Sequence, residues 1–176
     1  QRMVMWEDSL AAIGDEPASI SLDEYASRQN RLFGQLKGSD LIIITNPKES
    51  VRSNDVHYHF RSSSDMLYLT GWKDPESTFC AYQREGKWIR TLFVQPKDVL
   101  KEIWEGRRPG IEGAVEEWPV DEAYSIHDLE EKLSEMLVQC SRVFVKLGVD
   151  DSVDKIVEHE VKRNSRERQK FGTGPM

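Results

Sequence analysis

The sequence predicts a three-layer α/β sandwich over a mixed sheet, and three observations carry this reading. Segments with the 3.6-residue period of an amphipathic helix alternate with short β-branched runs. One of these runs, Leu41-Ile42-Ile43-Ile44, is apolar at every position, the pattern of a central strand covered on both faces. Between the helical segments, Thr78 to Arg84 and Trp88 to Val94 meet at Glu85-Gly86, so a hairpin brings antiparallel pairing into the sheet.

Taken in order, residues 1–21 have no clean period. Gly14, Pro17 and Ser19 break them into pieces, with Trp6, Leu10 and Ile13 at the spacing of a short helix. Leu22 to Lys37 reads as a helix with Tyr25, Leu32, Phe33 and Leu36 on one face. Ser21 is its N-cap, Glu24 completes a capping box and Gly38 ends it. After the strand at Leu41 comes an irregular stretch, Asn54 to Pro75, too apolar for disorder and too polar for a core strand. That mixture implies a loop pinned down for a reason. Gly71 suits a positive φ or a close approach, Asp74-Pro75 reads as a turn, and Ser62-Ser63-Ser64 caps a short helix through Ser64 or Asp65. Beyond the hairpin, Pro96 stops the second strand. Val99 to Glu105 and Ile111 to Glu117 form short helices, and Ala123 to Ile126 a strand. From His127-Asp128 an amphipathic helix presents Leu129, Leu133, Met136 and Leu137 on its apolar face. Val143-Phe144-Val145 reads as a further buried strand. Ser152 caps a last helix bearing Val153, Ile156, Val157 and Val161, which runs into a charged tail. The expected division is an extension over 1–21, a domain over 22–170 and the start of a linker over 171–176.

At 176 residues the chain is long enough for one domain with a proper core. Its 24 basic against 31 acidic residues give a net charge of −7, which argues against a nucleic-acid backbone as partner. No apolar run approaches a bilayer span, so no membrane partner is expected, and the N-terminus lacks a signal peptide's apolar core. Cys80 and Cys140 form neither a disulfide framework nor a CxxC pair. They read as buried or half-buried thiols in a reducing compartment, the cytoplasm. The first residue is not methionine, so the chain is expected to be a trimmed or excised piece.

Two blocks carry a resemblance. The first is Asn54-Asp55-x-x-Tyr58-x-Phe60-Arg61, followed by Ser64-Asp65-x-x-Tyr68-Leu69-Thr70-Gly71 and Pro75-Glu76. The second is Glu102-Ile103-Trp104-x-Gly106-Arg107-Arg108. In this order and spacing they resemble the N-terminal domain of the Xaa-Pro aminopeptidases (aminopeptidase P), within the wider creatinase/prolidase family. The likeness covers roughly Leu22 to Arg168; His59 departs from it, since the family more often has proline there. The resemblance implies a ribonuclease-H-like arrangement of strands. It also implies a parent enzyme that removes the residue preceding a proline, using two divalent metal ions, commonly manganese. The ligands of those ions (two Asp, one His, two Glu) would lie in a C-terminal catalytic domain outside this chain. A non-catalytic role in assembly as a dimer or tetramer, and in restricting access of peptide substrate to the active site, is implied for the domain itself. Two rivals stand beside it: a stand-alone creatinase-like binding module, and the N-terminal domain of a prolidase.

The residues themselves support no self-contained catalytic apparatus. There is no G-x-S-x-G, Walker loop, H-E-x-x-H or G-x-G-x-x-G. His57 and His59, two apart on an extended chain, share a face with Asp55. That spacing serves some metal sites, but surface or packing roles explain it as well, and no metal ligand is assigned. His127 belongs to capping chemistry at a helix start, His159 to a solvated face. Trp104 beside Arg107 and Arg108 admits three readings: an interface anchor, a group near substrate, or core packing. The resemblance places this loop at a subunit interface near a neighbour's active-site mouth. The candidate substrate-proximal or interface residues are therefore Trp104, Arg107, Arg108, Asp55, Tyr58, Arg61 and Asp65.

Overall fold

The computed structural model describes residues 20–49, 51–52, 56–57 and 62–170, with the side chains of residues 51–52, 56–57 and 168–170 left undescribed. The helix predicted around Trp6, and Asn54, Asp55, Tyr58, His59 and Arg61, lie outside the described residues.

A five-stranded sheet forms the middle layer. Its strands are β1 (Asp40–Asn46), β4 (Ser77–Arg84), β5 (Lys87–Val94), β6 (Glu122–Ser125) and β7 (Arg142–Val145), ordered β6-β5-β4-β1-β7. The three central strands pair antiparallel with one another, whereas β6 and β7 add in parallel at the two edges, which makes the sheet mixed. A separate two-residue ladder joins β2 (Val51–Arg52) to β3 (Val56–His57). In the β4–β5 turn both Glu85 (φ 54°) and Gly86 (φ 76°) are left-handed, the geometry that matches the twist of paired strands.

Six α-helices complete the described chain: α1 (Leu22–Phe33), α2 (Ser64–Thr70), α3 (Val99–Glu105), α4 (Gly110–Glu117), α5 (Leu129–Gln139) and α6 (Asp151–Lys170). The period-2 geometry of β1 sends Ile42 and Ile44 to one face and Leu41 and Ile43 to the other. On the first face Ile42 packs with Phe33, Met66, Trp72, Phe79, Leu92 and Ala114, under α1, α2 and α4. On the second, Leu41 and Ile43 pack with Cys80, Phe93, Leu133, Leu137, Val153 and Val157, under α5 and α6. The continuous apolar run of β1 is thus explained by burial on both faces. Cys80 is buried and Cys140 half-buried, as the sequence implied; burial pushes the Cys80 thiol up, so it packs as a small hydrophobe.

Several boundaries differ from expectation. Helix α1 ends at Phe33 rather than near Gly38, because the chain tightens into successive turns at Gly34 to Leu36. Ser21 caps it as predicted, its Oγ accepting from Glu24 N at 3.2 Å. The Glu24 carboxylate, however, turns to Arg28 Nε at 3.0 Å instead of closing the box. Helix α2 is capped by Ser63, one residue before the expected position. For α6 the cap is Asp150, not Ser152: Asp150 Oδ1 accepts from Ser152 N at 2.8 Å and Val153 N at 3.3 Å. Strand β7 is not buried throughout. Among the described strands it pairs only with β1, and while Val143 and Val145 pack against the α5/α6 cluster, Phe144 faces outward and is exposed.

The β1–β7 junction holds an ion pair across the sheet. Arg142 donates from Nε to Asp40 Oδ1 at 2.8 Å and from Nη2 to Oδ2 at 2.7 Å, and Lys37 N–H adds a 2.7 Å bond to Oδ2. These bonds, Arg142's first, hold the Asp40 carboxyl down to about 2. Unfolded, it would titrate at about 3.9, so the stabilisation is complete above about pH 4 and is lost as the pH falls through 2. Asp40→Asn is expected to lower the urea midpoint at neutral pH, with the gap to the unmutated chain closing on acidification. A gap independent of pH would refute the ion pair as its source.

Candidate functional site

The first motif block is fastened to the sheet through Asn46, the last residue of β1. Asn46 is fully buried; its Nδ2 donates to Ser62 Oγ at 2.9 Å and to the Asp74 carbonyl at 3.1 Å. Its Oδ1 accepts from Ser63 N at 3.0 Å, and Ser62 Oγ–H donates to the Trp72 carbonyl at 2.8 Å. One side chain therefore ties both ends of the segment around α2 to the end of the central strand, which accounts physically for the pinned stretch. Gly71 closes α2 with φ 73°, and a Cβ built there would lie 2.5 Å from Tyr25 Oη, so both reasons anticipated for a glycine apply. Trp72 follows into the core and meets Trp118 edge-on, with ring centroids 4.9 Å apart. Glu76, at the rare φ of 49°, is held by its N–H to the Pro47 carbonyl (2.9 Å), by Lys48 (3.3 Å) and by Gln95 (3.2 Å).

The second block forms α3 and the turn after it. Asp98 caps α3, accepting from Leu100 N at 3.1 Å and Lys101 N at 3.3 Å, and Gly106 (φ 93°) ends it. None of its seven residues is buried. Val99, Leu100, Ile103 and Trp104 all stand exposed, Trp104 at 88%. Core packing is thus eliminated for Trp104, and the helix presents a contiguous apolar surface of the kind that marks an interaction site. The adjacent arginines separate. Arg107 points to solvent and makes a long 3.7 Å contact with Glu117, whereas Arg108 is largely covered and ion-paired with Glu105. Arg108 N also donates to Glu102 Oε1 at 2.8 Å.

Asp65 lies elsewhere. Exposed in the first turn of α2, it lines an open groove of about 510 Å³ with Arg28, Leu32, Ile44, Tyr68 and Leu69. Arg28 stacks over the Tyr68 ring at 4.5 Å and donates to the Tyr68 carbonyl at 3.1 Å. Trp104, Arg107 and Arg108 therefore lie together in α3 and the turn after it, with Arg108 covered, whereas Asp65 lines a different groove. Sequence reasoning missed Asn46 and the buried Gln29, whose Nε2 donates to the carbonyls of Leu69 (2.9 Å) and Pro119 (3.1 Å). The signal for Asn46 was an amide residue two positions after the unbroken apolar run of β1. Among the described residues no group of three or more His, Cys, Asp or Glu is arranged to hold a metal ion, so the described side chains do not fit a metal centre. No helix among them is long and apolar enough to cross a membrane.

Architecturally the described residues form a three-layer α/β domain with the apolar helix α3 exposed at its surface. The family described as aminopeptidase P, N-terminal domain, matches residues 25–144, and the chain belongs to it. The Xaa-Pro aminopeptidase of Haemophilus influenzae is 32% identical over 127 residues, covering 72% of this chain and 30% of that protein. The mitochondrial intermediate cleaving peptidase 55 of Arabidopsis thaliana is 33% identical over 135 residues, 77% of this chain and 27% of the relative. Among solved structures, zinc-substituted Escherichia coli aminopeptidase P in complex with product superposes with a TM-score of 0.75 at 29% identity, over 85% of this chain and 35% of that one. The Pseudomonas aeruginosa enzyme gives 0.73, also at 29%. The chain spans roughly a third, or less, of the length of the curated relatives it matches.

Proposed function

We propose that this chain is the non-catalytic N-terminal domain of an Xaa-Pro aminopeptidase, and that it serves assembly and access to the active site. The observation that carries this reading is α3: four exposed apolar side chains on a helix none of whose residues is buried, inside a domain of this family. Its occupant is a second copy of the parent protein. Trp104, with Arg107 at its flank, inserts beside the neighbour's active-site mouth and narrows it to peptides with a free N-terminus. Residues 22–170 make up the domain and 171–176 lead toward the catalytic part. Catalysis belongs to that part, where two divalent ions, manganese in the simplest case, would activate water and polarise the scissile carbonyl. The cysteines fit a reducing compartment; the cytoplasm is the reading retained, although one relative is named as mitochondrial.

The test is hydrolysis of Xaa-Pro peptides with added Mn²⁺, by residues 1–176 and by the full product of the gene. Activity confined to the longer protein is the expected result. Metal-dependent turnover by the 176 residues alone would overturn it and return attention to His57, His59 and Asp55. Inactivity of both would favour a binding module.

A further inference from the structure

A seven-residue helix is marginal on its own, and α3 buries no side chain that would fix its direction. Its orientation must come from polar fastenings: Asp98 at its start, and at its end a set that converges on one residue. The backbone of Arg108 is bound by Glu102 and its guanidinium by Glu105, both on α3, so the chain after Gly106 folds back onto the helix that precedes it. The Arg108 side chain is only 17% exposed, against 79% for Arg107. Its charge is also felt at Asp74, the residue whose carbonyl Asn46 holds. Burial raises the half-buried Asp74 carboxyl above the usual range, and the Arg108 charge pulls it back. The chain leaving the clasp enters α4, whose Gly110 and Ala114 are buried, so the clasp ties α3 to an anchored helix.

We infer that Arg108 is a positioning residue: clasped by Glu102 and Glu105, it fixes the direction in which α3 presents Trp104. Arg107, one residue earlier, is left outside the clasp and available to a partner. Lysine could keep the charge at position 108 but not the planar fork. This inference rests on the proposed role of Trp104, and its test separates the two.

In the full gene product, kcat and KM for an Xaa-Pro peptide are measured for Trp104→Ala, Arg108→Gln, Arg108→Lys and the double variant W104A/R108Q, with the Tm of each. The expected result is a loss of about tenfold in kcat/KM for Trp104→Ala, a similar loss for Arg108→Gln at nearly unchanged Tm, and partial rescue by Arg108→Lys. The double variant should be no worse than Trp104→Ala alone, because Arg108 acts through Trp104. Losses that multiply in the double variant would overturn the inference, as would an Arg108→Gln protein of full activity beside an impaired Trp104→Ala. Full activity of Trp104→Ala would instead remove the proposed role of Trp104, and the positioning role with it. Should Arg108→Gln fail to fold, Arg108→Lys and its double with Trp104→Ala carry the same comparison.

Discussion

Trp72→Ala is expected to destabilise the domain by about 3–5 kcal/mol, the range for deleting a large aromatic from a packed core. At this size of chain that corresponds to a fall in Tm of roughly 6–20 °C. The indole is 2% exposed, and it packs with Phe33, Met66, Phe79 and Leu92 while meeting Trp118 edge-on. Collapse around the gap is resisted on two sides. The sheet lies beneath it, and the Trp72 backbone is held both by Ser62 Oγ on its carbonyl (2.8 Å) and by its own N–H to Thr70 Oγ1 (3.1 Å). The indole N–H has no hydrogen-bond acceptor among the described residues, so Trp72→Phe removes volume without breaking a hydrogen bond and should lose much less. Thermal unfolding of the three proteins checks this. An alanine variant that melts with the phenylalanine one would show that the site relaxes and that the cavity cost is not realised.

Trp104→Ala should behave in the opposite way. The side chain is nearly all in solvent, and alanine is the better helix former, so the Tm of the isolated domain should move by no more than about 1–2 °C. The effect is expected in association. Interface tryptophans rank among the residues whose truncation costs about 2 kcal/mol or more, which is on the order of a thirtyfold weaker dimer. Sedimentation of the full gene product over a concentration series would show the dissociation midpoint moving upward. An unchanged midpoint would mean that α3 does not lie between copies. Large effects on stability at Trp72 and on assembly at Trp104 would place the two tryptophans of the motif blocks in separate physical roles.

Where burial is two-sided, the sequence states it. The run in β1 has no polar position because neither face of the strand meets water, and the β4–β5 hairpin is legible because Glu85-Gly86 supplies the left-handed pair its turn needs. The extent of α3 was legible too, since Asp98 and Gly106 punctuate it at both ends. Its exposure was not. Val99, Leu100, Ile103 and Trp104 form the same apolar stripe that a buried helix would show, and only the tertiary arrangement reveals that nothing of the described domain covers it. Strand β7 failed for a related reason: Val-Phe-Val reads as buried, but an edge strand buries only the face that a helix reaches. The distinction between Arg107 and Arg108 was equally hidden, because it depends on which of the two the carboxylates of α3 can reach.

The pairing of β1 with β7 has a consequence in time. Asp40 and Arg142 are 102 residues apart in the chain, so while the protein is being synthesised the outer edge of β1 has no native partner until β7 has emerged. At roughly 5–20 residues per second this interval is on the order of ten seconds, long enough for an open, strongly apolar edge to meet another chain. The strand begins with a carboxylate whose counter-charge arrives with Arg142 itself, and a lone charge on an exposed edge discourages foreign strands from adding to it. The residue that secures the finished sheet thus also guards its unfinished edge.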